Sequence, residues 1–272
     1  MYWNNIKMKF NDLDLNNWKK YDINTDSLWI IASRDKSGKH RNIYHGNFIP
    51  QIPNQLIRRY TKKDDLVIDP FLGSGTTLYE CEKLNRKCIG LDINESILEF
   101  VLDNFGINFD NKRYFLGNCD NTDAKKVDEF LENALNKLES KKAQFIFLHP
   151  PYMDIVKFSK KKEDLSQISD LKEFKYKFLL TCQNLLKYLE KNRYFALIIA
   201  DLYKNSEIIP LGFELMNLIK QNFQVKLKGI VVKNIEGNRG KLGVNAIWRY
   251  RALRSDYYIF KHDYIFIFKK EF

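Results

Sequence analysis

The sequence predicts an α/β fold with a doubly wound, mostly parallel sheet and antiparallel strands at its C-terminal edge. Three observations carry this prediction. Segments of strand character alternate with segments of helical spacing between residues 64 and 200. The runs AQFIFL (143–148) and YFALIIA (194–200) are apolar throughout, as expected for strands that helices cover on both faces. Several predicted strands end on a polar residue, which concentrates chemistry at one edge of the sheet.

The first half of this pattern supplies three strands and two helices. DDLVIDPF (64–71) is a short apolar run bounded by acids, and KCIGLDIN (87–94) and KRYFLGNCD (112–120) also end on polar residues. GTTLYECEKLN (75–85) and ESILEFVLDNF (95–105) carry apolar residues at helical spacing. This spacing predicts a helix after each of the first two strands.

The second half continues the alternation and then departs from it. Helices are predicted at 123–140 and 170–192, and each precedes one of the two fully apolar strands. In the tail, FQVKLKGIVV (223–232) and YYIFKHDYIFIFKK (257–270) alternate polar and apolar residues, which is typical of antiparallel strands. The stretch between them, 234–255, is rich in glycine and arginine and is predicted to be an adaptable loop.

A single domain is expected to cover residues 1–272. The chain is long enough for one large α/β core and too short for two well-developed ones. Within this domain we expect an N-terminal extension at 1–43 and two inserted loops, at 153–170 and 234–256. The polar interval 160–170 is predicted to lie on the surface.

The charge of the chain favours a polyanionic partner. The net charge is +11 and the pI is near 9.3. Nucleic acid is a common partner of such a protein, although a generally lysine-rich composition predicts the same numbers. From Lys220 to the end, 12 Lys and Arg residues stand against 4 Asp and Glu residues. The arginines of this segment alternate with aromatic residues, and the two residue types together suit phosphates, base edges and stacked bases.

The cysteines and the hydropathy predict a protein of the reducing cytoplasm. Four cysteines occur without a CxxC pair or a His/Cys cluster of zinc spacing, so neither a disulfide framework nor a metal site is expected. No apolar run approaches the roughly 20 residues that span a bilayer.

The segment DPFLGSGTT (69–77) predicts a ligand site at the end of the first strand. Gly73 and Gly75 fall in the turn before the first helix, where missing side chains let a ligand touch the backbone. The segment matches neither G-x-G-x-x-G nor a phosphate-binding P-loop, and Asp69 would repel a pyrophosphate, so a positively charged ligand fits better. Asp92, at the end of the next strand, is placed to accept hydrogen bonds from a ribose, and Asp120 to meet an adenine amine.

The tetrapeptide HPPY (149–152) follows the apolar strand 143–148. Two consecutive prolines cannot continue a sheet ladder, and each fixes its own backbone and restrains the preceding residue. A stiff, polar and aromatic segment at a strand end is therefore a second candidate site.

DPFLGSGTT followed by HPPY resembles the DNA amino-methyltransferases, which use S-adenosylmethionine to methylate adenine N6 or cytosine N4. HGNFIPQIP (45–53) is similar to the segment that covers the cofactor in that family. The resemblance implies a Rossmann-like methyltransferase fold and a set of cofactor-binding residues. These are Asp69, Phe71, Gly73, Gly75 and Asp92, with Asp120 and Phe48 as weaker members. It also implies that His149, Pro150 and Tyr152 hold the target base.

The resemblance gives the tetrapeptide a chemical role. The side chain at 149 and the Pro150 carbonyl would accept the two hydrogens of the target amine, and Tyr152 would stack on a base flipped out of the helix. The family has Asp, Asn or Ser where this chain has His149, and serine-type members modify cytosine N4. Neutral histidine is closer to serine, so cytosine N4 is slightly favoured over adenine N6. Because an imidazolium accepts no hydrogen bond, we expect the rate to fall between about pH 8 and pH 5.5.

The C-terminal basic segment is the candidate DNA-binding surface, together with the loop 153–170. Its predicted DNA-binding residues are Arg239, Lys241, Trp248, Arg249 and Arg251. The expected partner is double-stranded DNA, with a restriction endonuclease as a further possible partner, and the oligomeric state stays open. Two alternatives also stay open: methylation of RNA bases, and an inactive relative that binds DNA and cofactor without transfer.

Overall fold

The computed structural model describes residues 9–41, 44, 46–235 and 245–272. The strands are β1 (Leu28–Trp29), β2 (Leu66–Asp69), β3 (Lys87–Asp92), β4 (Tyr114–Asn118), β5 (Ala143–Leu148), β6 (Leu189–Ile199), β7 (Leu202–Lys204), β8 (Glu207–Ile209), β9 (Val225–Asn234) and β10 (His262–Lys270). The helices are α1 (Gln51–Tyr60), α2 (Thr76–Lys83), α3 (Glu95–Phe105), α4 (Ala124–Lys137), α5 (Leu171–Leu186), α6 (Leu211–Asn222) and α7 (Asn245–Arg254).

Eight of the strands in the described residues form one sheet in the order β1-β9-β10-β6-β5-β2-β3-β4. The five strands from β6 to β4 are parallel, and β10 is antiparallel to both β6 and β9. This arrangement confirms the predicted fold class. The chain winds from β2 outward to β4 and then returns to β5 on the other side of β2, so a topological switch point lies between β2 and β5.

The central strands explain the uninterrupted apolar runs. Along β5, Phe145 and Phe147 pack into one hydrophobic cluster, while Ile146 and Leu148 pack into a second cluster on the other face. All four side chains are fully buried. A strand covered on both faces cannot alternate polar and apolar residues.

One predicted helix end was wrong, and one helix was missed. Helix α5 ends at Leu186 instead of residue 192, because Leu189 already pairs with Ala143 in the sheet. Helix α6 was not predicted, although its buried residues Leu211, Leu215 and Ile219 recur at four-residue spacing. This spacing begins about ten residues after the predicted strand 194–200, in a region for which no element was predicted.

Two predicted loops also differ from the structure. The stretch 234–255 was predicted as a loop, yet residues 245–254 form α7. Its glycines Gly237, Gly240 and Gly243 lie outside the described residues. In the predicted surface loop 160–170, Asp164, Leu165, Ser166 and Ile168 are buried, because this segment folds onto the site described below. Within the described ranges, no helix has both the length and the apolar character that crossing a membrane requires.

Candidate active site

A cavity of about 430 Å³ opens at the carboxyl edge of the sheet. Its walls come from the segments that follow β2, β3, β4 and β5, from the N-terminal segment (Arg34, Tyr44 and residues 46–49), and from the adjoining ends of β9 and β10. The topology places these segments together because the switch point leaves a crevice beside β2 and β5. Eight of the ten residues predicted to bind the cofactor or the base line this cavity: Phe48, Phe71, Gly73, Asp92, Asp120, His149, Pro150 and Tyr152.

The loop after β2 needs both of its glycines. Gly73 has a φ of +51°, and a Cβ built there would lie 3.3 Å from the Tyr44 ring. Gly75, the residue before α2, has a φ of +83°, and its Cβ would lie 3.0 Å from Val101. Side chains are disfavoured at such φ values. The loop therefore keeps its backbone open to the cavity at Gly73, while Gly75 turns the chain into the helix.

Asp92 is fixed at the end of β3 with its carboxylate toward the cavity. One oxygen accepts a hydrogen bond from the Gly73 N–H at 2.8 Å, and the other accepts one from the Asn94 N–H at 2.9 Å. Burial raises the pKa of Asp92 to about 6 despite these bonds. A buried carboxylate of this kind is stabilised by a ligand that donates hydrogen bonds or carries positive charge.

Asp69 and Gly75 lie behind the cavity wall. The side chain of Asp69 is 1% exposed, and its Oδ1 accepts a hydrogen bond from the Phe71 N–H at 3.0 Å. Burial raises the pKa of Asp69 to about 6 as well. In this arrangement Asp69 shapes the glycine loop, which brings Phe71 to the cavity.

The segment after β4 contributes Asp120 and a residue that the sequence reasoning missed, Asn121. Asp120 accepts hydrogen bonds from the backbone N–H and the hydroxyl of Thr122, at 2.9 and 2.8 Å. Asn121 donates to the Pro70 carbonyl, and its buried Oδ1 has no hydrogen-bond partner among the described residues. An unsatisfied acceptor on the wall of a cavity suits a ligand amine. The sequence signal was its position directly after Asp120.

The tetrapeptide HPPY forms the wall contributed by β5. The His149 ring lies 4.9 Å from the Phe48 ring and 5.9 Å from the Tyr152 ring, measured between centroids. The Tyr152 hydroxyl lies 3.3 Å from Oδ1 of Asp263, whose Oδ2 lies 3.7 Å from Nζ of Lys233. Asp263 and Lys233 also line the cavity. They come from β10 and β9, more than 80 residues after the tetrapeptide, so sequence reasoning did not connect them with it.

Burial changes the predicted pH behaviour of His149. It lowers the pKa of the imidazole from its ordinary value to about 4. The ring therefore stays neutral, and able to accept a hydrogen bond, throughout the range from pH 5.5 to 8. With this pKa, the fall in rate is expected below pH 5.5 instead of between pH 8 and pH 5.5.

The segment 153–170 closes the cavity beside Asp92. The Phe158 carbonyl accepts a hydrogen bond from Nδ2 of Asn94 at 2.9 Å, and Nζ of Lys161 lies 2.9 Å from the Glu95 carboxylate. The buried carboxylate of Asp164 accepts hydrogen bonds from the Ser166 N–H and the Ser159 hydroxyl. The role of this segment in DNA recognition stays a prediction.

The cavity is acidic although the chain is basic. Among the described residues, the charged side chains that line it are five carboxylates and two cations: Asp92, Asp120, Glu163, Asp164 and Asp263, against Arg34 and Lys233. The excess of carboxylates fits a ligand that carries a sulfonium and an ammonium group, as S-adenosylmethionine does. In the part of the chain that is described, no group of three or more His, Cys, Asp or Glu side chains is arranged to hold a metal ion.

Three of the five predicted DNA-binding residues lie within the described ranges. Arg239 and Lys241 lie outside them, whereas Trp248, Arg249 and Arg251 lie on α7. The Arg251 guanidinium stands 5.4 Å from the centre of the Trp248 ring, and Arg249 is exposed. Because β9 ends and β10 begins at the cavity, the connection that contains α7 leaves and rejoins the sheet at this edge.

The comparisons with known proteins agree with this geometry. A sequence model described as a DNA methylase matches residues 1–103, which contain the glycine loop and Asp92. Residues 1–103 are therefore similar to the DNA methylases that this model describes. This similarity supports the predicted cofactor, S-adenosylmethionine. The matched region ends before His149, so the roles of individual site residues stay predictions.

Two curated relatives that match part of the chain are named as Type II methyltransferases. The Type II methyltransferase M.MjaII of Methanocaldococcus jannaschii is 35% identical over 77 residues, which are 27% of this chain and 14% of the relative. The Type II methyltransferase M.HindIII of Haemophilus influenzae is 42% identical over 85 residues, which are 31% of this chain and 26% of the relative. The chain thus matches about a quarter or less of the length of these Type II methyltransferases.

One solved structure has the same fold. The crystal structure of TrmN from Thermus thermophilus matches with a TM-score of 0.50 at 16% identity, over 83% of this chain and 50% of that one. At this identity the likeness concerns the fold alone.

Proposed function

We propose that this chain is a site-specific DNA methyltransferase that transfers a methyl group from S-adenosylmethionine to the exocyclic amine of a flipped base. The observation that carries this proposal is that two motifs, DPFLGSGTT and HPPY, line one cavity. The glycine loop after β2 and the tetrapeptide after β5 come from neighbouring strands at the switch point, and both line the same space. A cofactor and a base bound there would lie side by side.

The cofactor half of the cavity would be formed by the glycine loop, Asp92, Asp120 and Phe71. The Asp92 carboxylate is placed to accept hydrogen bonds from ribose hydroxyls, and the acceptor oxygen of Asn121 adds a further position for an amine. When bound, S-adenosylmethionine supplies an electrophilic methyl group, whose bond to sulfur breaks as its bond to nitrogen forms.

The base half would be formed by His149, Pro150 and Tyr152. A neutral imidazole offers one acceptor nitrogen, and the Pro150 carbonyl offers a second acceptor, so both hydrogens of an amine can be held while its lone pair points at the methyl group. One of these hydrogens leaves as a proton after transfer. Tyr152, tethered through its hydroxyl to Asp263, would present its ring for stacking. Most of the acceleration would come from positioning.

The proposal also names the methylated base, cytosine or adenine. His149 is uncharged at neutral pH, since burial lowers its pKa to about 4. In this respect it resembles the serine of members that modify cytosine N4 more than the ionised aspartate of other members. Cytosine N4 is therefore the favoured target, with adenine N6 as the alternative.

The test is transfer from methyl-labelled S-adenosylmethionine into unmodified phage DNA, followed by digestion and mass spectrometry of the nucleosides. We expect label in N4-methylcytosine. Label in N6-methyladenine would keep the enzyme and overturn the choice of base. Label in RNA alone, under the same conditions, would replace DNA by RNA as the substrate.

A variant separates an enzyme from an inactive relative. His149→Ala should abolish transfer while the affinity for S-adenosylhomocysteine stays within about twofold, since the ring is assigned to the base half. His149→Asn, which keeps an acceptor, should retain part of the rate. An inactive DNA-binding relative would show no transfer in the unaltered protein and no change in binding in either variant.

We extend the proposal to the partners. Double-stranded DNA would approach the carboxyl edge of the sheet, and α7, in the connection between β9 and β10, would supply Arg249 and Arg251. A cognate restriction endonuclease would be the biological counterpart, as the Type II names of the relatives suggest. Protection of genomic DNA from such an enzyme, in cells that express this chain, is the test of that partner.

A further inference from the structure

We propose that Arg34 forms an anion-binding subsite in the cavity and that this subsite takes the α-carboxylate of the cofactor's methionyl group. The inference rests on the proposed use of S-adenosylmethionine. It concerns a residue outside the motifs that carry the resemblance, since Arg34 lies in the predicted N-terminal extension.

Arg34 is held in place by backbone carbonyls. Its Nη1 donates hydrogen bonds to the Phe48 carbonyl at 3.0 Å and to the Asn47 carbonyl at 3.3 Å. Its Nη2 is buried and has no hydrogen-bond partner among the described residues. The side chain lines the cavity. A guanidinium group whose second nitrogen is desolvated and unpaired is costly, and an anion at that nitrogen would remove the cost.

The other cation on the cavity wall, Lys233, already has a carboxylate as its counter-ion. Nζ of Lys233 lies 3.7 Å from the Asp263 carboxylate. No described carboxylate is paired with Arg34, although five line the same cavity. Burial also lowers the pKa of Arg34, the direction expected for a cation that lacks a counter-ion.

The surroundings place this subsite beside the glycine loop. Asn47, whose carbonyl binds Arg34, donates a hydrogen bond through its side chain to the Ser74 hydroxyl. Its Oδ1 also lies 3.6 Å from the position of a Cβ on Gly73. Arg34 is thus connected through one residue to the loop that the cofactor is proposed to cross.

The chemistry of the cavity then matches both ends of an amino acid. The carboxylate of Asp164 on the cavity wall suits the positive groups of the methionyl part, and Arg34 suits its carboxylate. An arginine fork binds a carboxylate through paired charge-assisted hydrogen bonds. The same guanidinium chemistry would also fit a backbone phosphate of DNA beside the flipped base, so the experiment must distinguish the two anions.

The experiment compares two ligands by isothermal titration calorimetry, without DNA. One ligand is S-adenosylhomocysteine, and the other is its decarboxylated counterpart, which lacks only the carboxylate. We expect the unaltered chain to prefer S-adenosylhomocysteine by about tenfold or more. Arg34→Gln should remove most of that preference by weakening the binding of S-adenosylhomocysteine alone. Arg34→Lys, which keeps the charge and loses the fork, should restore part of it.

Arg41→Gln is the matched control. Arg41 is also held by backbone carbonyls, those of Gly38 and His40, but it is exposed and does not line the cavity. Its substitution should leave the preference unchanged. Thermal unfolding of each variant verifies that the fold is kept.

Three results would overturn the proposal. Equal weakening of both ligands by Arg34→Gln would show that Arg34 only supports residues 47 and 48. Unchanged binding of both ligands, together with weaker binding of a DNA duplex in a separate titration of Arg34→Gln, would assign the anion to a phosphate. If neither ligand binds the unaltered chain, the proposed function fails first, which is distinct from a failure confined to Arg34.

Discussion

The imidazole of His149 lies 4.9 Å from the ring of Phe48, with the two rings inclined by 49°. Phe48 comes from the N-terminal segment and His149 from the end of β5, so the contact joins a predicted cofactor residue to a predicted catalytic one. The apolar ring shields the imidazole from water, and burial is the cause of its low pKa. The segment that covers the cofactor would therefore also keep the base acceptor neutral.

A pH profile tests this relationship. At saturating cofactor and DNA, kcat should be flat from about pH 8 to pH 5.5 and should fall only as pH approaches the His149 pKa of about 4. Phe48→Ala admits water to the ring, raises the pKa of His149 toward its ordinary value and should move the fall in kcat to higher pH. Phe213→Ala removes an aromatic ring that packs on β10 instead, and should leave the profile in place. A fall centred near pH 6.5 in the unaltered protein would contradict the assignment.

The pKa of Asp92 predicts a different pH dependence, in the binding of the cofactor. Its value of about 6 means that most of the carboxylate is protonated at pH 5 and ionised above pH 7. The ionised form is the better acceptor for ribose hydroxyls, so the affinity for S-adenosylhomocysteine should rise about tenfold from pH 5 to pH 7.5 and then level off. Calorimetric titration at several pH values measures this rise.

Asp69 provides the control for that measurement. Burial raises the pKa of Asp69 to about 6 as well, but its side chain does not line the cavity. Asp69→Asn keeps an acceptor for the Phe71 N–H and should preserve the pH dependence, whereas Asp92→Asn should flatten it and weaken binding. If the dependence followed Asp69 instead, Asp92 would not be the ribose acceptor.

The strand ends were predictable because their signals are local. An apolar run followed by a polar residue identifies Asp92 and His149 without any knowledge of the neighbouring strands. Arg34, Lys233 and Asp263 were missed for the opposite reason. They reach the cavity from segments far apart in the chain, and nothing in their immediate sequence distinguishes them from other charged residues.

The C-terminal helix shows the other limit of sequence reasoning. Glycines between residues 237 and 243 predicted a loop for the whole stretch up to 255. The segment NAIWRYRALR has no glycine or proline, and it forms α7 once the glycines are passed. The helix propensity of residues 245–254 is therefore hidden when the composition of the whole stretch 234–255 is considered.

Gly73→Ala tests the open backbone of the loop. The substitution places a Cβ at a φ of +51° and 3.3 Å from the Tyr44 ring, which should cost about 1 kcal/mol of stability and push Tyr44 into the cavity. Gly38 offers a matched control, since its φ is +62° and nothing lies within 4 Å of its Cβ position. Both variants should unfold at lower denaturant concentration, and Gly73→Ala alone should lose affinity for S-adenosylhomocysteine. Equal affinities would separate Gly73 from the ligand.

Helix α7 supplies the last prediction, which concerns DNA. Its described side chains include three arginines, Arg249, Arg251 and Arg254, and its ten residues include no acid. Its exposed face also carries Ile247, Tyr250 and Leu253 at three-residue spacing. If α7 lies against the duplex beside the flipped base, its arginines neutralise phosphates, and each substitution should reduce the slope of log affinity against log salt by about one.

We therefore expect Arg249→Gln and Arg251→Gln each to weaken binding of a DNA duplex several-fold at low salt while leaving the affinity for S-adenosylhomocysteine unchanged. Lys191→Gln removes one exposed charge near the start of β6, at the opposite edge of the sheet, and should change neither the affinity nor the slope. If all three substitutions weakened DNA binding equally, the attraction would be a general effect of the net charge of +11, and α7 would have no specific place on the duplex.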